Sequence, residues 1–140
     1  MTRAYFQALE NLTHNETCPL NDVIEQLAFN EQGLIPVITQ DAVSKNVLML
    51  AWMNKTALET TLATGRMTYW SRSRGELWEK GAGSGHTQEL VAMAFDCDGD
   101  TILCHVHQKG AACHTGRPDC FYLDVDNKHN QVRIIGSGGA

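Results

Sequence analysis

Between residues 96 and 122 the chain reads Asp96-Cys97-Asp98-Gly99-Asp100, then Ile102-Leu103-Cys104-His105-Val106-His107, then Cys113-His114-Thr115-Gly116-Arg117 and Cys120-Phe121-Tyr122. The middle run alternates like a strand: Ile102, Cys104 and Val106 on one face, His105 and His107 on the other. The Asp-Gly turn before it joins it to a second strand predicted over Thr87 to Phe95. The turn itself carries three carboxylates at alternate positions around a cysteine. If the stretch is extended, Asp96, Asp98 and Asp100 share a face and Cys97 points away. Three anions so placed repel one another unless a cation holds them; the plainer reading is an acidic turn, where Asp and Gly are common. It is not an EF-hand loop, because the sixth and twelfth positions from Asp96 are Thr101 and His107 rather than Gly and Glu.

Cys97, Cys113 and Cys120 are candidate ligands of a softer ion. Six residues separate Cys113 from Cys120, and Cys97 lies sixteen positions before Cys113, so there is no C-x-x-C knuckle. Unrelated thiols remain the alternative. Three thiolates would leave one position of a tetrahedral zinc open for water, which is the catalytic arrangement. The mixture of hard and soft donors therefore asks for two kinds of metal, Mg²⁺ or Ca²⁺ on the aspartates and Zn²⁺ on the cysteines. Cys104 belongs with the core and Cys18 reads as a bystander. His114, directly after Cys113, is the candidate general base, since imidazole titrates near neutral pH; His86 competes for that role. Arg72, Arg74, Lys80, Ser84 and His86 lie in or beside loops and are candidate contacts for phosphorylated substrate. The glycine-rich Gly81–Gly85 loop would let an anion approach backbone N–H groups. A solvated hairpin with scattered charges is the alternative.

The 140 residues are the length of one domain. A 43% hydrophobic content is enough for a core, and a formal net charge of -5 argues against nucleic acid as a partner. No run approaches the roughly 20 apolar residues of a membrane helix, and the start lacks a secretory pattern. Five cysteines without an export signal suggest a reducing, cytoplasmic setting.

Asn21 is the expected cap of a short helix ended by Gly33, and Asn54 the cap of a second ended by Gly65. Residues 1–19 are ambiguous. Strands are expected at Pro36–Thr39, at Val47–Met53 (buried on both faces), over 67–72 and 77–79 as a hairpin, and at the alternating Phe121, Leu123, Val125 and Val132, Ile134. The expectation is an α+β fold, a compact roll of mostly antiparallel strands with two short helices. It spans residues 1–135 with a core over 33–122 and a flexible tail over 136–140.

Several segments together resemble the phosphoribosyl-AMP cyclohydrolase family: Gly33-Leu34-Ile35-Pro36-Val37, Val47 to Asn54, Tyr69-Trp70-Ser71-Arg72-Ser73-Arg74, Leu77 to Gly81, Ser84-Gly85-His86-Thr87-Gln88, Asp96 to Asp100, and Cys113 to Tyr122. The resemblance implies a homodimer with zinc at the subunit interface, Cys97 from one subunit and Cys113 and Cys120 from the other. It further implies magnesium on Asp96, Asp98 and Asp100, and His114 as catalytic base. The implied reaction is zinc-dependent hydrolysis of the adenine C6–N1 bond of 1-(5-phosphoribosyl)-AMP, the third step of histidine biosynthesis. The product would be the formimino aminoimidazole carboxamide ribotide. Ala111, Pro118-Asp119 and Ala82-Gly83 depart from the commoner residues of that family; none is a candidate metal ligand. Against a cytidine-type zinc deaminase, the required P-C-x-x-C string is absent. A module in which zinc only staples a dimer would leave the aspartates without a role.

Overall fold

The computed structural model describes residues 2–138, so Gly139 and Ala140 of the expected tail lie outside the described residues. Its elements are α1 (Thr2–Leu9), α2 (Leu20–Gln26), β1 (Ile35–Asp41), β2 (Val47–Met53), α3 (Lys55–Thr64), β3 (Thr68–Ser71), β4 (Glu76–Glu79), β5 (Gln88–Phe95), β6 (Ile102–Gln108), β7 (Leu123–Asp126) and β8 (Gln131–Ile134). The α+β class holds. Four strands form a mixed sheet in the order β2-β1-β6-β5, and β3-β4 and β7-β8 are separate hairpins. All strand pairs are antiparallel except β1 with β6. No helix among the described residues is long and apolar enough to cross a membrane.

Alternation builds the core. Ile35, Val37 and Thr39 of β1 and Ile102, Cys104 and Val106 of β6 are buried, and the register sets Val37 beside Ile102 and Thr39 beside Cys104. Burial pushes the Cys104 thiol up to about 12, as expected for a cysteine used for packing. Tyr69 on β3 enters this layer, and its hydroxyl meets Thr39 Oγ1 at 2.8 Å and donates to Gln88 Oε1 at 2.6 Å. Gln88 Nε2 donates in turn to Gln108 Oε1 at 2.8 Å. Side chains from β1, β3, β5 and β6 are thereby joined across the buried layer, and no buried side-chain polar atom is left unpaired among the described residues.

The helices correct the sequence reading. There are three rather than two, because Phe6 of α1 is buried on the aspartate turn, where its ring fills the space above Gly99. Asn21 caps nothing: Pro19 is at the N-cap of α2, without a side-chain cap. Gly33 does not end that helix, which stops at Gln26; it closes a turn onto the Asn30 carbonyl at φ 75°. Asn54 and Gly65 match expectation, with Asn54 Oδ1 accepting from the Ala57 N–H at 2.8 Å and Gly65 left-handed at φ 76°. β2 is not buried on both faces. It is an edge strand, with Leu48 and Met49 inside and Val47 and Leu50 exposed.

Replacing Asn54 by Ala leaves the Ala57 N–H unpaired and lowers stability by about 1 kcal/mol. Asn21→Ala is near neutral. The two urea midpoints, measured side by side, check this.

Candidate metal centre and substrate cleft

β6 separates the candidate ligands. The aspartate turn precedes its first residue, and the Cys113–Cys120 loop follows its last. Seven strand residues span about 20 Å. Cys120 is fixed at the far end, where its N–H donates to the Leu48 carbonyl at 2.8 Å near the start of β2. Within one chain, therefore, Cys97 does not meet Cys113 and Cys120.

The aspartates are not extended. The Gly99 N–H donates to the Asp96 carbonyl, and the Asp98 N–H to Asp96 Oδ1 at 2.9 Å, which makes a tight turn. Cys97 consequently does not point away: one donor atom each of Asp96, Cys97 and Asp98 lies within 4.8 Å of the others. The Asp98 N–H and a hydrogen bond with Asp100 hold the Asp96 carboxyl below its usual range. The same bond, followed by burial and the neighbouring charges, pushes Asp100 up. Asp96 and Asp98 together push the Cys97 thiol up. Three carboxylates and a thiol in one turn are a donor set that a divalent cation would relieve.

At the other end, the thiols of Cys113 and Cys120 lie close enough to shift each other's ionisation. Cys113 is 5% exposed, in a tight loop where its N–H donates to the Arg117 carbonyl and its carbonyl accepts from the Gly116 N–H. Burial pushes its thiol up, but the Thr115 hydroxyl at 3.0 Å, the Thr115 N–H, Cys120 and the Arg117 charge outweigh it, and the thiol lies below its ordinary value. Its partner moves the other way: partial burial of the sulfur and the neighbouring Cys113 push Cys120 up to about 11. A thiol held below its ordinary value beside one held above it is a donor pair that a soft cation would suit.

Beside Cys113 opens a cleft of about 690 Å³ whose walls include Arg74, Lys80, Ser84, His86 and His114. Five of the sequence-predicted residues thus share one cavity with Cys113. Arg72 does not join them: its guanidinium sits over the Trp52 ring at 4.8 Å, in a separate shallow depression. Lys80 crosses the floor, its ammonium donating to the Ala112 carbonyl at 2.6 Å and lying 5.3 Å from the Trp78 ring centroid. Burial holds it below the usual lysine range. His86 is wedged between two glycines. A Cβ on Gly81 would lie 2.4 Å from its backbone, and one on Gly110 would lie 2.5 Å from its ring. Gly110, Thr115 and Trp78 are the site residues that the sequence reading missed. Thr115 alone left a local signal, a hydroxyl two residues after a ligand-type cysteine. His14-Asn15-Glu16 supplies a lone H-x-E triplet, but Glu16 is occupied on the surface by the N–H and hydroxyl of Thr13.

The family model of phosphoribosyl-AMP cyclohydrolase matches residues 49–122. A phosphoribosyl-AMP cyclohydrolase of Chromohalobacter salexigens is 52% identical over 126 residues, covering 89% of this chain and 86% of its own length. The chain belongs to the phosphoribosyl-AMP cyclohydrolase family. Further relatives of that name are 57% identical over 107 residues in Roseobacter denitrificans (76% of this chain, 84% of its own) and 60% identical over 97 residues in Rhodospirillum rubrum (69% and 68%). The span matched by the cyclohydrolase model holds the cleft residues and all six candidate ligands. It leaves out α1, α2, β1, the first two residues of β2 and the β7-β8 hairpin.

Gly81→Ala forces a left-handed residue into the His86 backbone. It lowers stability by about 1–3 kcal/mol and lowers turnover with it. Gly83→Ala, in open space in the same loop, changes neither. Urea unfolding and initial rates read the pair. In metal-free protein, Thr115→Val removes a donor to the Cys113 thiolate and moves one thiol ionisation to higher pH, followed by thiolate absorbance.

Proposed function

We propose that the chain hydrolyses the C6–N1 bond of the adenine ring in 1-(5-phosphoribosyl)-AMP, opening the ring in the third step of histidine biosynthesis. The observation that carries this is the cleft. It sets a thiol primed for a soft metal next to His114 and surrounds them with the cationic groups that a phosphorylated nucleotide calls for.

Zinc suits Cys113 and Cys120, with Cys97 of a second copy as third ligand in a homodimer; when bound, it supplies a water acidified toward neutral pH. The chain's residues do the rest. His114, exposed at the cleft and adjacent to Cys113, takes the proton from the water attacking C6. It returns that proton to N1 as the C6–N1 bond breaks, leaving a carboxamide at C6 and a formimino group on the former ring nitrogen. Lys80, held by the Ala112 carbonyl, puts a positive charge beside the two thiolates. His86, fixed by its flanking glycines, and Ser84 orient the nucleotide, and Arg74 meets a phosphate. Arg72, outside the cleft, is the weaker phosphate contact. Magnesium on Asp96, Asp98 and Asp100 neutralises the turn that carries Cys97.

Cys113→Ala and Cys97→Ala each lose zinc and turnover by more than about a hundredfold, though the two positions are far apart in one chain. Metal content and activity on the ring-opening substrate check both. Full zinc with full turnover in either variant refutes the assignment. His114→Ala keeps zinc and loses turnover.

A further inference from the structure

Two apolar features flank the candidate ligands at opposite ends of β6. Beside Cys97 is a groove of about 380 Å³ walled by Phe6 and Leu9 of α1, Val23 of α2 and Phe95 of β5, with Cys97 itself on its rim. Directly after Cys120, Phe121 is 60% exposed. Its N–H donates to Asp119 Oδ1 at 2.7 Å, which fixes where the backbone presents it. One feature is an apolar hollow, and the other is an aromatic side chain left mostly uncovered at the edge of an open depression that it shares with Asn46, Val47 and Asp119.

We propose that Phe121 of one copy seats in the groove beside Cys97 of a second copy. The inference rests on the shared-metal reading above. Two thiolates on one zinc, each at about 2.3 Å, are about 3.8 Å apart. A second copy that brings its Cys97 to Cys120 therefore brings its groove within reach of the very next side chain. The same face continues past Phe121. In the β7-β8 hairpin, Leu123 pairs with Ile134 and Val125 with Val132, and all four are exposed on one side. A two-stranded hairpin is marginal alone, and this one is clamped to the cysteine loop. The Arg117 guanidinium lies 4.0 Å from the Tyr122 ring centroid and donates to the Ile135 carbonyl at 3.3 Å. Whatever covers the hairpin is thus held next to Cys120. The occupant with a matching hollow beside a matching ligand is another copy of this chain. In this arrangement α1 is part of the dimer, and the groove sets the angle at which the two cysteine turns meet.

The test places a benzophenone amino acid at position 121 of the full chain, irradiates it, and maps cross-linked peptides in the band of twice the chain mass. The expected product joins residue 121 to the segment carrying Phe6 and Leu9 of the other chain. A monomer by sedimentation, no cross-link in a dimer, or a cross-link only to other segments overturns the proposal. Phe121→Glu is expected to weaken the dimer at least about thirtyfold, as a central aromatic anchor does, whereas Phe121→Leu restores most of it; an unchanged dimer in Phe121→Glu overturns the proposal as well. Cys97→Ser separates the two ideas. If that variant keeps its zinc, the shared-metal reading fails, while the cross-link still decides the place of Phe121.

Discussion

The length of β6 is the constraint on which the site depends. A strand cannot be shortened, and this one is locked between β1 and β5 with its inward face closed by core side chains. About 20 Å of rigid backbone therefore stands between the turn that carries Cys97 and the loop that carries Cys113 and Cys120. One chain can build two half-sites at the ends of this strut but not one complete three-thiol site. On the proposed shared-zinc reading, chemistry that needs all three sulfurs needs two copies, and assembly and activity become a single requirement.

Each half-site is tuned by its surroundings. At one end, crowded carboxylates raise the cost of ionising Cys97 and of keeping Asp100 charged, so the turn is poised for a cation. At the other, hydrogen bonds and Arg117 favour the Cys113 thiolate while burial disfavours that of Cys120. Positive charge would relieve both ends, which agrees with the metal ligands proposed for them.

What the sequence reveals of this fold is what lies close together along the chain. Asn54 and Gly65 bracket α3 because capping is settled within a few residues. The strands around residues 87–108 are legible because alternation is local. What escapes is set at long range. Phe6 is buried on Gly99, so α1 cannot be read from its own ambiguous pattern. The bend at Asp96 is made by backbone hydrogen bonds that alternate spacing does not show, and extended geometry places Cys97 on the wrong side. Arg72 and Arg74 are two residues apart, yet only Arg74 reaches the cleft; Trp52, distant in sequence, takes Arg72. Gly110 matters only because His86, from another loop, rests on it.

β2 lies at the sheet's margin, and the Leu48 carbonyl there is met by the N–H of Cys120. The opposite margin is shielded differently, with Gly65 and Met67 bonded to the backbone of β5. A loop built around two cysteines thus doubles as a cover for an exposed strand. Were that loop to lose its order, the uncovered backbone and the outward Val47 and Leu50 would become a template for stacking chain upon chain into fibres. With zinc holding that loop as proposed, scarcity of metal would be a hazard to solubility as well as to turnover.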